Sequence, residues 1–347
     1  MLNIGIVGRN HGMKHLNNIQ RYHSNKALVK GLAYKNPSKS SEIESGIQTY
    51  NCYRKMISET DLDALVLAGP HNLTREIIEF SADKIKFFLI EKPVAHDSTE
   101  IAKIKEILHK HNCTALIGHH RRFSPKVQEP KRIIASGVIG NVISFDSVWC
   151  IKKNDEYFNN DETNWRIHAD QGGGPLAING VHEIDTVRFL FGEIGLTKAI
   201  LGQSNRRLAI EENITVIFKL KNGVIGTLLI GDNIPSPFNY EKTMDENRSF
   251  PTSNVDFLKV FGDKGAITFP SLTLYPYVGS GDWYSAFSAS SVDSKVVCED
   301  PLKLEMDHFI RVIEGKETPL VNIDDALRNM VVVDKIKQEI KNESVEL

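Results

Sequence analysis

Two short stretches of the chain hold residue types that could work on a carbon-bound hydroxyl. Lys92 stands in Glu91-Lys92-Pro93, directly after the apolar run 87–90, and His182 stands in Asn179-Gly180-Val181-His182 in the second half. An ordinary imidazole titrates at about 6.5, so His182 can take a proton at neutral pH without much tuning. An ordinary lysine titrates at about 10.4 and stays cationic unless desolvated, so Lys92 suits binding a hydroxyl and steadying negative charge on its oxygen. Together they fit oxidation of a secondary alcohol, in which the hydroxyl proton must leave as hydride departs from the same carbon, or the reverse reduction. The roles can also be exchanged, because a buried lysine can titrate low enough to act as the base. Taken singly, each has an ordinary explanation: a surface lysine at a strand end and a histidine lining a helix. Asp185, three residues after His182 on one helical face, could orient the imidazole or simply face the core.

The elements that must hold these residues follow from the hydrophobic pattern. An apolar run over 2–7 stops at Gly8, and 11–19 carries apolar positions at helical spacing, which reads as strand, turn, helix. The runs 27–34, 64–68, 87–90 and 114–117 are strand-like, with polar helical stretches between several of them. Such alternation predicts a Rossmann-type, doubly wound parallel sheet covered on both faces. Ligands of such sheets bind beyond the carboxyl ends of the strands, where Gly8, Gly69-Pro70 and Glu91-Lys92-Pro93 all fall. After about residue 122 the pattern changes, with strand candidates at 142–149, 197–203, 214–219, 223–230, 257–261 and 266–269, and Lys221-Asn222-Gly223 placed as a hairpin turn. One helix is expected at 181–191 and two more at about 302–315 and 323–341. The expected architecture is a dinucleotide-binding α/β domain over 1–122 and an α+β domain with a large, mostly antiparallel open sheet over 123–347. The last helices can pack back on the first domain.

A glycine turn between strand and helix exposes backbone N–H groups at the positive end of the helix, which suits a pyrophosphate. Here the turn is Gly8-Arg9-Asn10-His11-Gly12, with Asn10 where a second glycine usually stands and the last spacing one residue short. Asn tolerates positive φ better than most residues, so the turn can still form, with a side chain crowding the phosphate. An ordinary glycine turn of an α/β protein would look the same. The second strand ends Leu32-Ala33-Tyr34 without the Asp or Glu that binds a ribose 2′-hydroxyl, and Lys35, Ser38, Lys39 and Ser40 follow. This leans toward NADP over NAD, with Tyr34 beside the adenine; otherwise these are solvated loop residues.

The segment Phe88-Leu89-Ile90-Glu91-Lys92-Pro93-Val94-Ala95 resembles a signature of the Gfo/Idh/MocA oxidoreductase family. The second half supplies Gly172-Gly173-Gly174-Pro175-Leu176, Asn179-Gly180-Val181-His182-Glu183-Ile184-Asp185 and Arg188-Phe189-Leu190-Phe191-Gly192 in the order and spacing of that family. Gly69-Pro70, Gly118 to Phe123, Asn164-Trp165-Arg166 and Asp307-His308-Phe309 extend the resemblance over nearly the whole chain. It implies a nicotinamide cofactor on the first domain, a sugar, cyclitol or nucleotide-sugar substrate, an open sheet used in homo-oligomer contacts, and a catalytic pair Lys92 and His182. By the same resemblance, Gly8, Asn10, His11, Gly12, Tyr34, Lys35, Gly69, Pro70, His71, Glu91, Lys92 and Pro93 are cofactor candidates. Trp165, Arg166, Asn179, Asp185, His120 and Arg122 are substrate candidates, with a hinge or core role as the ordinary explanation for Arg121, Arg122, Trp165 and Arg166. Two departures stand out: Ile178 where many members have Asp, and Thr74 where many have His, with His71 three residues earlier. Ser236 to Tyr240 and Glu246-Asn247 mark a less characterised branch. A glycoside-cleaving enzyme that uses NAD transiently and a non-catalytic dinucleotide-binding regulator are the alternative readings.

The bulk properties agree with small-molecule chemistry. At 347 residues with 41% apolar content the chain can fill two cores. Lys plus Arg number 42 against 44 Asp plus Glu, so no field of one sign exists to draw nucleic acid or a membrane surface. Cys52, Cys113, Cys150 and Cys298 are scattered, no cationic signal region opens the chain, and no apolar stretch reaches the roughly 20 residues of a membrane span, which fits the cytoplasm. No metal is expected, since no pair among His119, His120, His168 and His182 has ligand spacing on a helix.

Overall fold

A computed structural model describes residues 1–35, 47–159, 161–247, 249–278, 281–292 and 299–346. Ser38, Lys39 and Ser40 lie outside the described residues. The chain divides into two compact units, Met1–Phe123 with Glu299–Met330, and Ser124–Cys298 with Val331–Leu347.

The first unit runs β1 (Leu2–Val7), α1 (Asn10–Tyr22), β2 (Ala27–Ala33), β3 (Gln48–Tyr50), α2 (Tyr53–Glu59), β4 (Ala64–Leu67), α3 (Thr74–Ser81), β5 (Phe87–Glu91), α4 (Ser98–Lys110) and β6 (Thr114–Gly118). Its six strands are parallel in the order β3-β2-β1-β4-β5-β6. Ile4, Ile6, Leu65, Val66, Phe88, Leu89 and Leu116 are fully buried, as strands covered on both faces require. Register aligns the carboxyl ends: Val7 pairs with Leu67, Leu67 with Ile90, and Glu91 with Gly118. The loops that follow β1, β4 and β5 therefore share one edge of the sheet, which is where the chain carries Gly8, Gly69 and Lys92.

The second unit contains α5 (Pro125–Ala135), β7 (Val142–Cys150), α6 (Val181–Phe191), β8 (Ile194–Leu201), β9 (Asn213–Leu220), β10 (Ile225–Gly231), α7 (Tyr240–Thr243), β11 (Leu258–Gly262), β12 (Gly265–Phe269), β13 (Thr273–Pro276) and β14 (Ser290–Ser291). The helix α8 (Pro301–Ile313) belongs to the first unit and packs on α1, and α9 (Ile323–Glu346) ends the chain. The eight strands are ordered β14-β13-β12-β11-β7-β10-β9-β8, antiparallel except for the central pair β7 and β10. The hairpin turn forms at Lys221-Asn222-Gly223: Gly223 has φ 94° and its N–H reaches the Leu220 carbonyl at 3.0 Å. Strict alternation in β9 buries Ile214, Val216, Phe218 and Leu220 and exposes Ile217. The buried face meets α6, with Phe145 stacked on Phe191 at 4.6 Å. The other face shows Leu196, Ile200, Ile217 and Ile225 to solvent, each about half exposed. Among the described residues no helix is long and apolar enough to cross a membrane.

Candidate active site

At the end of β1, Gly8 adopts φ 108°, and a Cβ there would come within 2.3 Å of the Ala68 carbonyl oxygen. Only glycine allows that approach of β1 to the loop after β4. Gly12 is buried, and a Cβ there would press to 3.0 Å of the Ile6 side chain, so this glycine lets α1 lie close against its own strand. Asn10 corrects one expectation. It is not in the left-handed region; it is the first residue of α1, because the helix starts directly after Arg9 and Gly8 alone makes the reversal. The start of α1 has no side-chain cap and no acidic residue in its first turn. Such an end leaves N–H donors and positive potential for an anion, so the turn fits a dinucleotide pyrophosphate despite its irregular spacing. Tyr34 follows β2 with its backbone N–H on the Tyr50 carbonyl at 3.0 Å and its hydroxyl buried without a hydrogen-bond partner among the described residues, and Lys35 beside it is exposed. Gly69 and Pro70 lie in the loop after β4, and His71 opens a 3-10 turn ahead of α3.

Glu91, the last residue of β5, points its carboxylate back under the start of α1. His15 Nε2 lies 2.7 Å and His11 Nε2 3.2 Å from Glu91 Oε1. Gly118 opposite has no side chain, and a Cβ there would sit 2.9 Å from that carboxyl group. Burial alone would raise the acid, but the two imidazoles outweigh it and hold Glu91 well below the usual carboxylate range. The three ligand-type atoms lie within 4.8 Å of one another. Two ligands of one tetrahedral zinc would stand about 3.3 Å apart, given bonds of about 2.0 Å. The 2.7 Å separation is that of a hydrogen bond to a charged carboxylate, and it anchors the Lys92 turn to α1. Glu305 of α8 is fully buried without a hydrogen bond to either oxygen among the described residues, and desolvation, then the charges of Glu91 and Asp300, push its carboxyl well above the usual range.

Lys92 follows at the strand end, half-buried, joined to Pro93 by a cis bond. Past β6, a 3-10 turn spans His120–Phe123. His120 is held well below the ordinary imidazole value by desolvation and then by the Arg121 and Lys92 charges, against the pull of Glu91. Arg122 is buried with Asp325 at 3.5 Å, and Asp325 also holds Arg328 at 3.0 Å. His119 Nε2 meets the Asn329 amide at 3.2 Å. These contacts tie the turn to α9 within the same unit.

The second unit carries the other candidates. A Cβ on Gly173 would fall 2.5 Å from the Arg166 carbonyl oxygen, and Gly174 (φ 92°) donates its N–H to that oxygen at 3.1 Å. The glycines thus fold the Trp165-Arg166 loop onto the turn that follows. That turn, Leu176–Gly180, is π-helical and runs straight into α6, holding Ile178 and Asn179 half-buried just ahead of His182. Gly180 lets it approach β10, since a Cβ would meet Ile230 at 2.9 Å. His182 and Asp185 are both buried on α6. Glu211 caps the turn, accepting the Leu176 N–H at 2.9 Å, and desolvation of its enclosed carboxyl raises it to about 7.

Asn179 Oδ1 accepts a hydrogen bond from Lys153 Nζ at 3.0 Å, and Lys153 lies 3.4 Å from Asp232. Asp232 is bound more closely by Arg206 at 2.6 Å. Arg166 stacks on the Tyr157 ring at 4.0 Å and donates to the Tyr157 carbonyl, while Lys153 faces the same ring at 4.3 Å. The sequence reading missed His15, Lys153 and Glu211. His15 was available as the residue four after His11, on one helical face; Lys153 and Glu211 sit in polar stretches with no local pattern.

Residues 2–119 match the family model described as "Oxidoreductase family, NAD-binding Rossmann fold", and residues 131–347 match "Oxidoreductase family, C-terminal alpha/beta domain", the two halves of the Gfo/Idh/MocA family. The 2,7-anhydro-N-acetylneuraminate hydratase of Escherichia coli is 27% identical over 205 residues, 58% of this chain and 53% of that protein. The chain thus matches about half the length of this relative. D-xylose 1-dehydrogenase (NADP(+)) 2 of Haloferax volcanii is 22% identical over 314 residues, covering 88% of this chain and 87% of that protein. The solved WlbA dehydrogenase from Bordetella pertussis, in complex with NADH and UDP-GlcNAcA, shares the fold with TM-score 0.78 at 18% identity, covering 99% of this chain and 97% of that one. With both family halves matched end to end and sugar dehydrogenases among its relatives, the chain belongs to the Gfo/Idh/MocA family of oxidoreductases.

Proposed function

We propose that this protein transfers hydride between a nicotinamide cofactor and a secondary alcohol or ketone of a sugar, cyclitol or sugar derivative. The observation that carries the reading is Lys92 at the carboxyl end of β5, on the strand edge that also presents Gly8 and Gly69, its turn fastened through Glu91 to His15. Gly8, Asn10, His11 and Gly12 would cradle the pyrophosphate at the start of α1, with Gly69, Pro70, His71, Glu91, Lys92 and Pro93 completing the cofactor side. Tyr34 and Lys35, with no carboxylate after β2, favour NADP over NAD. A bound nicotinamide supplies the hydride acceptor or donor. His182 takes the hydroxyl proton, and the Lys92 cation steadies the charge left on that oxygen. Asp185 orients His182, and Trp165, Arg166, Asn179 and His120 bind the sugar. The first unit serves the cofactor and the second the substrate. The apolar sheet face around Ile200 and Ile217 pairs with a second copy of the chain.

Fluorescence titration with NADH and NADPH, then an absorbance screen for cofactor reduction over sugars, cyclitols and sugar acids, tests this. Lys92→Ala and His182→Ala are expected to lower turnover by about 10²- to 10⁴-fold with dinucleotide affinity nearly unchanged. Full activity in either variant, or a flat titration with both dinucleotides, overturns the reading.

A further inference from the structure

We infer that the substrate carries a carboxylate, as an aldonate or uronate does, and that Lys153 with Arg166 selects for it; this rests on the dehydrogenase reading above. The polar cluster around Asn179 holds an excess of donors. Nζ of Lys153 can only donate, so the atom of Asn179 that it meets at 3.0 Å must be the amide oxygen. That contact uses the one acceptor of the Asn179 side chain and leaves its Nδ2 donors. Ile178, the neighbouring residue on the turn, offers only carbon. Lys153 has three N–H bonds and, among the described residues, two acceptors, Asn179 at 3.0 Å and Asp232 at 3.4 Å, the second too long for a strong bond. Asp232 is already claimed by Arg206 at 2.6 Å. Glu212, the next carboxylate, accepts from Ser204, from the Asn205 and Arg206 backbone, and from Asn233.

Arg166 adds a further cation. It lies over the Tyr157 ring that Lys153 also faces, and its hydrogen bond goes to a neutral carbonyl at 3.3 Å. Among the described residues, the ion-paired cations Lys153 and Arg206, with Arg166 over the Tyr157 ring, stand with the carboxylates of Asp232 and Glu212, while nearby Glu211 is raised to about 7 by burial. A sugar hydroxyl both donates and accepts, and would leave its own proton unmatched among Lys153, Arg166 and the Asn179 amide. A carboxylate accepts only, carries the missing charge, and suits the fork of a guanidinium. The cluster sits in the second unit beside the turn that leads into His182, so the acid group would fix which carbon is offered for oxidation.

The test is calorimetric titration of the full chain, in the presence of NADH, with matched pairs: glucose with gluconate and glucuronate, galactose with galactonate and galacturonate. At least one acid should bind ten times more tightly than its neutral partner, and raising the salt concentration should weaken that acid alone. Lys153→Met should cost the acid tenfold or more and neutral sugars several-fold less, with NADH within about twofold, and Lys153→Arg should restore most of the loss on the acid. Equal binding of acid and neutral sugar in every pair, or acid binding unchanged in Lys153→Met, overturns the inference. If acids bind in the expected pattern and none reduces or oxidises a nicotinamide, the dehydrogenase reading fails and the carboxylate site stands. Turnover of neutral sugars with no preference for any acid, and with no loss on acids in Lys153→Met, does the reverse.

Discussion

Glu91 and Glu211 hold comparable posts, one under the turn that carries Lys92 and the other under the turn that leads to Asn179 and His182, yet they settle on opposite sides of the ordinary carboxylate range. Both carboxyls are shut away from water, and desolvation is the largest influence on each. Glu91 meets two imidazoles within 3.2 Å and is held well below the usual range. Glu211 has backbone N–H partners and the more remote charges of Lys337 and Asp232, which oppose each other, and it stays near 7. Burial alone does not decide the charge of an enclosed acid; the number of close cations does. The Lys92 side thus keeps a charged carboxylate through the neutral range, while the His182 side rests on a group that titrates within it.

The largest effect should come from removing the pair that makes Glu91 different. His15→Leu takes away the closer imidazole and leaves a buried carboxylate with His11 only, and it should cost about 3–5 kcal/mol at pH 7, read as a lower unfolding midpoint in urea. Because Glu91 is depressed, its contribution is present above about pH 4.5 and is lost as pH falls through its folded value, so variant and wild type should converge in acid. A loss that is flat with pH would show that packing, not charge, ties Glu91 to α1.

Glu211→Gln should act in the opposite direction. A carboxyl raised from 4.5 to about 7 favours folding most below pH 4.5, and that contribution disappears as pH climbs through 7. The variant should therefore be more stable than wild type at pH 8, by up to roughly 3 kcal/mol, with little difference at pH 5. Thermal scans across this window check it, and a constant difference would remove the contrast with Glu91. The smallest effect belongs to Lys337→Met: this lysine lowers Glu211 from some distance, so its loss should move the titration upward and change stability by under about 0.5 kcal/mol.

These contrasts also mark where the sequence was informative. Strands β1, β4, β5 and β6 are short apolar runs ended by glycine or a polar turn, and their order as a parallel sheet was legible because both faces are buried. The lone 3.6-residue pattern of α6 gave its limits as well. The edge strands β3, Gln48-Thr49-Tyr50, and β14, Ser290-Ser291, are too short and too polar to show a period, and α5 carries Pro130 inside it, which reads as a break. At the site, Lys92 and His182 stood out because they fall in distinctive local sequence. Lys153, Glu211 and His15 matter through partners 26, 35 and 76 residues away, and separation of that kind leaves no trace in a window of sequence.

The π-helical turn Leu176–Gly180 has a consequence for how this region could change. Each residue of such a turn rotates the chain by about 80–100° around the axis, so deleting Gly180, which stands between Asn179 and α6, would swing Asn179 by about a quarter turn from Lys153 while α6 kept its place. Substitutions on the turn would alter what the amide touches, but a change in length would alter where it points. Chain length over these five residues is therefore a setting of the substrate side in its own right, one that a single-codon deletion would reset.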